Sequence, residues 1–439
     1  MARARTTRVR LTDRGIVLVV GGGVLALAGV GLHLPDVVAI GIAPLVAVAA
    51  AALWIRLVGV DRGRTALTTT RRVLPNPVVR GQVTEARLAV RPAHLTSAAT
   101  AQLARTRVAE NVSTQLSHRP PRGSQRTGTD EIVVTYQLHP SARGRWLLGP
   151  ASATVEDPFG LVRTVQPFGS TTTVTVWPST YPLPVRAARS LAVASDAASG
   201  SRAASPDDAV LREYVAGDDP RRIHWASAAR RGELMVRSDE GAGLPPVTVL
   251  FDRGLLPTRD AARSWDHVRP AERGEWAVEC AASIAVSLVE AGHAGRIVGT
   301  SSDGAVAAVP HVPGGRGEGR SGILEQAVDL TGLRDGAEAD RAVAATAAAL
   351  RVDRHADELT FAVLRPQSGA AQHALAHLGG EGDHAAVVVV DRTSSQAQHR
   401  AAQDTVAALR AAGWRALAVV EGSGLEATWL NLVQEAAWS

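Results

Sequence analysis

Apolar and polar positions follow three different rhythms along the chain. Residues 15–33, GIVLVVGGGVLALAGVGLH, and 37–60, VVAIGIAPLVAVAAAALWIRLVGV, are almost free of charge. Each is long enough for an α-helix to cross the roughly 30 Å hydrocarbon core of a bilayer. The link Leu34-Pro35-Asp36 joins them as a hairpin. From 66 to 185 the pattern changes to short runs, VTEARLAV, EIVVTYQL, RWLLGPASATVE and TTTVTVW, broken by proline and glycine, which predicts an antiparallel β-sandwich or small barrel. Residues 186–205 are small and polar without periodicity, as in a flexible connection. Beyond 245 apolar strands such as VTVLF, ELTFAVL and HAAVVVVD alternate with helical stretches. That alternation predicts a mostly parallel sheet covered on both faces, with exposed loops at 257–274 and 309–321.

The expected architecture is therefore multi-domain: a basic cytoplasmic N-terminus (1–14), a transmembrane hairpin (15–60), a β-rich domain (66–185), a linker (186–205) and an α/β domain (206–439). A chain of 439 residues exceeds one ordinary core. Lysine is absent, so all positive side-chain charge is arginine or histidine. Arg3, Arg5, Arg8, Arg10 and Arg14 precede the first apolar run and Arg62, Arg64, Arg71 and Arg72 follow the second, whereas the link has none. This bias predicts a multi-pass protein of the inner (plasma) membrane with both ends of the hairpin cytoplasmic; Arg56 can snorkel at the inner end beside Trp54. Ala26-Leu27-Ala28 also resembles a small-residue cleavage site, but the second run would then still hold the C-terminal mass inside. The net charge of +5 is widely spread, which argues against a nucleic-acid partner. The one cysteine, Cys280, excludes an internal disulfide. With Trp276, Ile284 and Leu288 at helical spacing it reads as a core thiol on one apolar face.

The stretch REYVAGDDPRRIHWASAARRGELMVR, 212–237, stands out by its charge. Asp219 can cap a helix that begins at Pro220, and Gly232 can end it, so a helix is expected over 220–231 and a short strand over 233–237. Capping explains one aspartate and leaves Asp218, Arg212, Glu213, Arg222 and His224 for another purpose. An internal ion-pair network is one reading. A contact surface is another, since tryptophan and arginine concentrate binding energy at interfaces and Trp225 lies among arginines. A catalytic acid pair is the third, although no nucleophile or metal cage accompanies it.

The same residues carry a resemblance. Arg212, Glu213, Tyr214, Gly217, Asp218, Asp219, Arg222, His224, Trp225, Ser227 and Arg230 match the signature of the domain of unknown function 58 family, with Ser227-Ala228-Ala229-Arg230 one position longer than the usual Ser-Ala-Arg. RGRWLLGP (143–150), DPFGL (157–161) and WPSTYPLP (177–184) are similar to that family's lead-in. The resemblance implies a membrane-anchored protein whose C-terminal part is related to von Willebrand factor A domains and which works beside a MoxR-type AAA+ ATPase, with a transglutaminase-like membrane protein as a further associate. It implies no catalytic activity.

A metal-dependent adhesion site in such a fold needs an aspartate and two hydroxyls after the first strand. Here that place reads Asp252-Arg253-Gly254-Leu255-Leu256, a degenerate site that lacks two oxygen ligands, so no metal or other cofactor is expected. Asp391-Arg392-Thr393-Ser394-Ser395 has ligand-like spacing but reads more simply as a helix cap. His373 and His377, with Asp383 and His384 beyond, could be imagined around zinc, yet the pair reads as two exposed side chains. Gly21, Gly22 and Gly23 serve close helix packing, and Asn111-Val112-Ser113 is a glycosylation match that cytoplasmic placement voids. The expected function is a non-enzymatic membrane scaffold or adaptor that docks a AAA+ ATPase through the 212–237 motif, for assembly or activation of an envelope or membrane complex. Two rivals stand beside it: a hydrolase using Asp218, Asp219 and His224 to hold a cation and activate water, and a purely structural membrane organiser.

Overall fold

The computed structural model describes residues 9–57, 66–117, 124–128, 130–184, 211–213, 234–237, 244–257, 274–355, 357–379 and 383–434. They divide into two compact units, Met1–Trp177 and Pro178–Ser439.

The first unit opens with strand β1 (Val9–Leu11), followed by the antiparallel helices α1 (Asp13–Gly31) and α2 (Pro35–Leu57). Thr12 caps α1, its hydroxyl accepting from the Gly15 amide at 3.2 Å. Pro35 is the first residue of α2 rather than part of the link, and the turn is made at Leu32–Leu34 with His33 in the left-handed region. Both helices are long and apolar enough to cross a membrane. Their contact is set by single glycines: a Cβ on Gly22 would lie 2.7 Å from the Gly41 carbonyl, and one on Gly41 would lie 2.3 Å from the Ala26 nitrogen. Of the three glycines at 21–23 only Gly22 faces the partner helix; Gly21 and Gly23 look into open space.

The β-rich part is made of sheets ordered β2-β4-β7-β6, β1-β10-β9-β5 and β3-β11-β8. Their strands are β2 (Leu67–Leu74), β3 (Val78–Val79), β4 (Thr84–Pro92), β5 (Arg107–Ala109), β6 (Ser124–Thr127), β7 (Ile132–Leu138), β8 (Gly144–Leu148), β9 (Ala151–Glu156), β10 (Val162–Phe168) and β11 (Thr172–Trp177). All pairings are antiparallel except β3 with β11. Alternation decides which face is inside: Ala86, Leu88 and Val90 of β4 and Ile132, Val134 and Tyr136 of β7 enter one core. RWLLGPASATVE forms two strands, β8 and β9, which separate at Gly149, where φ is positive. A short helix, α3 (Ser97–Arg105), interrupts the β pattern.

Within this core Arg71 and Glu110 form a buried ion pair, Nε to Oε2 at 2.9 Å with both side chains 1% exposed. The Tyr136 hydroxyl donates to the same carboxylate at 3.4 Å, and burial followed by the Glu110 charge pushes that phenol far above its ordinary value.

The second unit begins with Pro178–Pro184, a segment that the sequence pattern groups with the β-rich part but that packs on the α/β unit. The amides of Tyr181 and Leu183 donate to the hydroxyls of Ser283 and Ser287 on helix α4 (Glu275–Glu290), and Trp429 Nε1 donates to the Pro184 carbonyl. The main sheet is wholly parallel, in the order β15-β14-β16-β17-β18: β14 (Val247–Phe251), β15 (Gly295–Gly299), β16 (Leu359–Leu364), β17 (His384–Val390) and β18 (Arg415–Val420). Numbered from β14 this is the doubly wound order 2-1-3-4-5. Every residue of β14, β16 and β17 is buried, as a sheet covered on both faces requires. Leu250, Ala362, Leu364 and Val388 meet helices α6 (Gly336–Asp353), α7 (Gly369–Gly379) and α8 (Gln396–Ala411). The alternate positions face the other way, where Phe361 packs on Trp429 of α9 (Leu425–Gln434), ring centroids 5.6 Å apart. The remaining helix, α5 (Glu318–Val328), begins inside the stretch expected as a loop over 309–321. Cys280 is indeed a core thiol, but α4 is buried nearly all round rather than along one face.

Candidate functional site

Strand β12 (Leu211–Glu213) pairs antiparallel with β13 (Met235–Arg237), with Arg212 opposite Val236 and Glu213 opposite Met235. The charged stretch therefore leaves and returns through one ladder, and its two feet are neighbours. The expected strand over 233–237 is found as β13, and the exposed Leu234 precedes it. Of the candidate residues, Arg212 and Glu213 lie on β12. Tyr214, Gly217, Asp218, Asp219, Arg222, His224, Trp225, Ser227 and Arg230, together with the helix expected over 220–231, lie outside the described residues.

The doubly wound order places a topological switch point between β14 and β16, and the carboxyl ends of those strands are where such sheets bind ligands. Asp252 follows β14 there, fully buried. Its Oδ1 accepts from the Gly254 amide at 2.8 Å and so caps a 3-10 turn, Arg253–Leu255. Its Oδ2 accepts from Gln367 Nε2 at 2.7 Å, and Arg365 Nε stands 3.3 Å away. Arg365 in turn reaches Asp340 of α6, Nη2 to Oδ1 at 2.5 Å. Arg253 turns aside: its amide donates to Thr300 Oγ1, and its guanidinium to Thr331 and the Thr300 carbonyl. Burial pushes the Asp252 carboxyl up, against the downward pull of Arg365, the amides of Gly254 and Arg365, and Gln367.

These residues do not fit a divalent cation. Both Asp252 oxygens are already taken by donors, and a guanidinium occupies the ground where positive charge would be welcome. Arg365, Gln367 and Asp340 were not singled out by the sequence. The available signal was Arg365-Pro366-Gln367, polar residues directly after an unbroken apolar strand.

The amino end of the same sheet holds a second network that the sequence did not reveal. Glu358, whose side chain is fully buried, precedes β16. It accepts from the Thr248 hydroxyl, from His311 Nε2 at 3.0 Å, from the His355 amide at 3.0 Å and from Arg296 Nη2 at 3.4 Å. His355 Nδ1 lies 3.6 Å from its other oxygen. Arg296, itself buried at the start of β15, also pairs with Asp353 at 2.9 Å and donates to Thr248 at 2.7 Å. Burial by itself would raise the Glu358 carboxyl, but the bonds from His311, Thr248 and the His355 amide, with the Arg296 charge, hold it at about 2.

The lesser candidates resolve into structural roles. Ser395 caps α8 in a reciprocal box with Gln398, as expected, and Asp391 accepts from the amide and hydroxyl of Thr393. His373 and His377 are exposed on α7 with ring centroids 6.2 Å apart. His384 is buried against the Trp414 ring, and Asp383 lies 3.9 Å from Arg415. Among the described residues no group of three or more His, Cys, Asp or Glu side chains is arranged to hold a metal ion. Cys280 lines a small apolar crevice with Ile284, Leu425 and Trp429, and burial pushes its thiol up to about 12.

Residues 210–400 match the family model described as "Protein of unknown function DUF58", from the first foot of the charged stretch into α8. No curated protein matches the chain. Two solved structures are similar at 8% identity and a TM-score of 0.30: the PilB minor pilin from Streptococcus sanguinis, covering 75% of this chain and 87% of that one, and a point mutant of that pilin, covering 81% and 85%. A likeness that slight carries no argument.

Proposed function

Since the chain belongs, through residues 210–400, to the DUF58 family, we propose that it is a membrane-anchored, non-enzymatic scaffold or adaptor that docks a cytoplasmic partner through the 212–237 stretch. The hairpin α1–α2 crosses the inner membrane, and the arginines on either side of it, with none in the link, support a cytoplasmic location for the β-rich part and the α/β unit. The α/β unit is von Willebrand A-related, with Asp252 a degenerate metal position. The partner is a MoxR-type AAA+ ATPase, and the setting is assembly or activation of an envelope or membrane complex.

One observation carries this reading. The switch point, where a doubly wound sheet would place chemistry, is filled by the internal Asp252–Arg365–Asp340 pairing, whereas the two feet of the charged stretch are paired in one two-strand ladder. A partner that binds the residues between these feet gains from their pairing, because less freedom is lost on docking when the ends of a segment are already fixed.

The test is capture of the ATPase by the full chain. Replacing Asp218, Arg222 and Trp225 together by alanine should abolish co-purification while the thermal midpoint stays near that of the parent. Unchanged capture would reject docking through this stretch. Bound Mn²⁺ or Zn²⁺ lost in Asp218→Ala would favour the hydrolase instead, and a fall in stability preceding any loss of capture would favour the structural organiser.

A further inference from the structure

The first unit carries an exposed aromatic side chain whose position is set by the start of a membrane-length helix. In the turn Asp157-Pro158-Phe159-Gly160-Leu161 between β9 and β10, Phe159 is 76% exposed. The turn is rigid: the buried Asp157 carboxylate accepts from the amides of Phe159, Leu161 and Val162 at 2.9, 2.6 and 2.7 Å. It is also fastened to α1, since Thr12 donates from its hydroxyl to the Gly160 carbonyl at 2.6 Å and from its amide to the Leu161 carbonyl at 3.0 Å. Gly15 is so close that a Cβ there would fall 2.1 Å from the Leu161 oxygen. Thr12 and Gly15 bracket the point where the apolar run begins, so the turn sits level with the edge of the hydrocarbon.

The surroundings are cationic. β1 continues directly into α1 and pairs with β10, Leu11 opposite Val162 and Arg10 opposite Arg163. Two arginines facing each other across a ladder repel unless an anion lies between them or beside them. Glu156 stands opposite Arg163 on the other side, in the β9–β10 register, and Asp13 opens α1. No ion pair within bonding distance joins Arg10, Arg14, Arg56 or Arg163 to a carboxylate among the described residues, and all four are exposed. Arg56 is at the end of α2, where Ile55 packs with Leu161 and Val162 and its carbonyl accepts from Gln166 at 3.4 Å. Both helix ends thus meet β10, with no free linker between β1 and α1.

We propose that the Asp157–Leu161 turn is a lipid-contact surface, with Phe159 seated in the bilayer interface and Arg10, Arg14, Arg56 and Arg163 taking the phosphates of anionic lipids. An apolar ring flanked by arginines is the side-chain chemistry of segments that lie in that interface, and the covalent continuity of β1 with α1 brings the turn to the membrane as soon as α1 is inserted. The consequence is a β-rich part pinned flat to the surface at a fixed height, rather than swinging on the hairpin. This rests on the reading of α1 and α2 as membrane-spanning.

The experiment uses the full chain in phosphatidylcholine vesicles, with and without phosphatidylglycerol. Because Cys280 is buried, Phe159→Cys and, separately, Leu27→Cys can be labelled with an environment-sensitive nitrobenzoxadiazole dye. Emission is read with lipids spin-labelled near the top of the acyl chain and with aqueous iodide. The expected result is a blue-shifted dye at 159 that loses most of its emission to the spin-labelled lipid and little to iodide. Phosphatidylglycerol should increase that loss, and adding Arg163→Gln and Arg10→Gln should remove the increase. A dye at 159 quenched by iodide and not by lipid, while the dye at 27 is quenched by lipid, overturns the contact surface and leaves the anchor standing. If neither dye is quenched by lipid, the anchor itself fails.

Discussion

Replacing Glu358 by glutamine removes one negative charge from the amino end of the parallel sheet and nothing else of comparable size. The carboxyl is held at about 2 against an ordinary 4.5, and at about 1.4 kcal/mol for each tenfold change in proton affinity the gap is worth about 3 kcal/mol. Because the folded value is the lower one, this stability is fully present above about 4.5 and is lost as the pH falls through about 2. The variant also leaves Arg296, 4% exposed, with only the partly exposed Asp353 as counter-charge, and breaking a buried pair on one side costs roughly 3–5 kcal/mol. In a unit of this size that is a fall in melting temperature of roughly 6–15 °C near neutral pH.

Asp252 must be allowed for, because burial moves its carboxyl in the opposite direction, so acid relieves a cost there while it removes a gain at Glu358. The decisive quantity is therefore the difference between parent and variant. Hydrogen exchange of the β16 amides, Leu359–Leu364, in detergent-solubilised full chain should show a difference that is large near neutrality and shrinks steadily as the pH approaches 2. A Glu358→Gln protein whose β16 protection matches the parent, or a difference that does not change with pH, would refute the account of a buried carboxylate held by His311, Thr248, His355 and Arg296.

Two further outcomes follow from the first unit. Glu110→Gln strips the buried Arg71 guanidinium of its counter-charge and should cost roughly 3–5 kcal/mol, read as faster exchange in β7, where Tyr136 exchanges a charged acceptor for a neutral one; protection within error of the parent would mean that the pair contributes nothing. Gly41→Leu puts a side chain where even a Cβ falls 2.3 Å from the Ala26 nitrogen, so α1 and α2 must separate, and the thermal midpoint of the detergent-solubilised full chain should fall, whereas Gly23→Leu, which faces open space, should leave it unchanged.

Periodicity is a property of one segment at a time, and what it conveys here is segmental. The apolar runs become α1 and α2, the alternating runs become β4, β7 and β11, and the α/β alternation becomes a wholly parallel sheet, because each element is selected by which of its own positions are buried. The run RWLLGPASATVE conceals where one strand ends and the next begins, because a positive φ at Gly149 is a backbone event that a hydrophobic pattern does not register. Pro178–Pro184 misleads differently: it has no period of its own, and its place is set by hydroxyls of Ser283 and Ser287, about a hundred residues away along the chain. Pairings between distant residues were equally hidden. Glu358 meets Thr248, Arg296 and His311 only once four strands or loops have been brought together, and the same is true of Asp252 with Arg365. Ser395 was legible as a cap because both partners of its box lie within one turn.

Where charge is spent inside the second unit bears on where it remains for a partner. At the carboxyl end of the sheet one guanidinium is shared by Asp252 and Asp340, and at the amino end one carboxylate gathers an arginine, two histidines and a hydroxyl. Recruiting charges held this way to a ligand would mean first breaking a buried pair, at a cost of several kcal/mol. A substrate that had to meet that cost before binding would need compensating contacts of the same size. Contact chemistry is therefore cheaper to place on side chains outside these two networks.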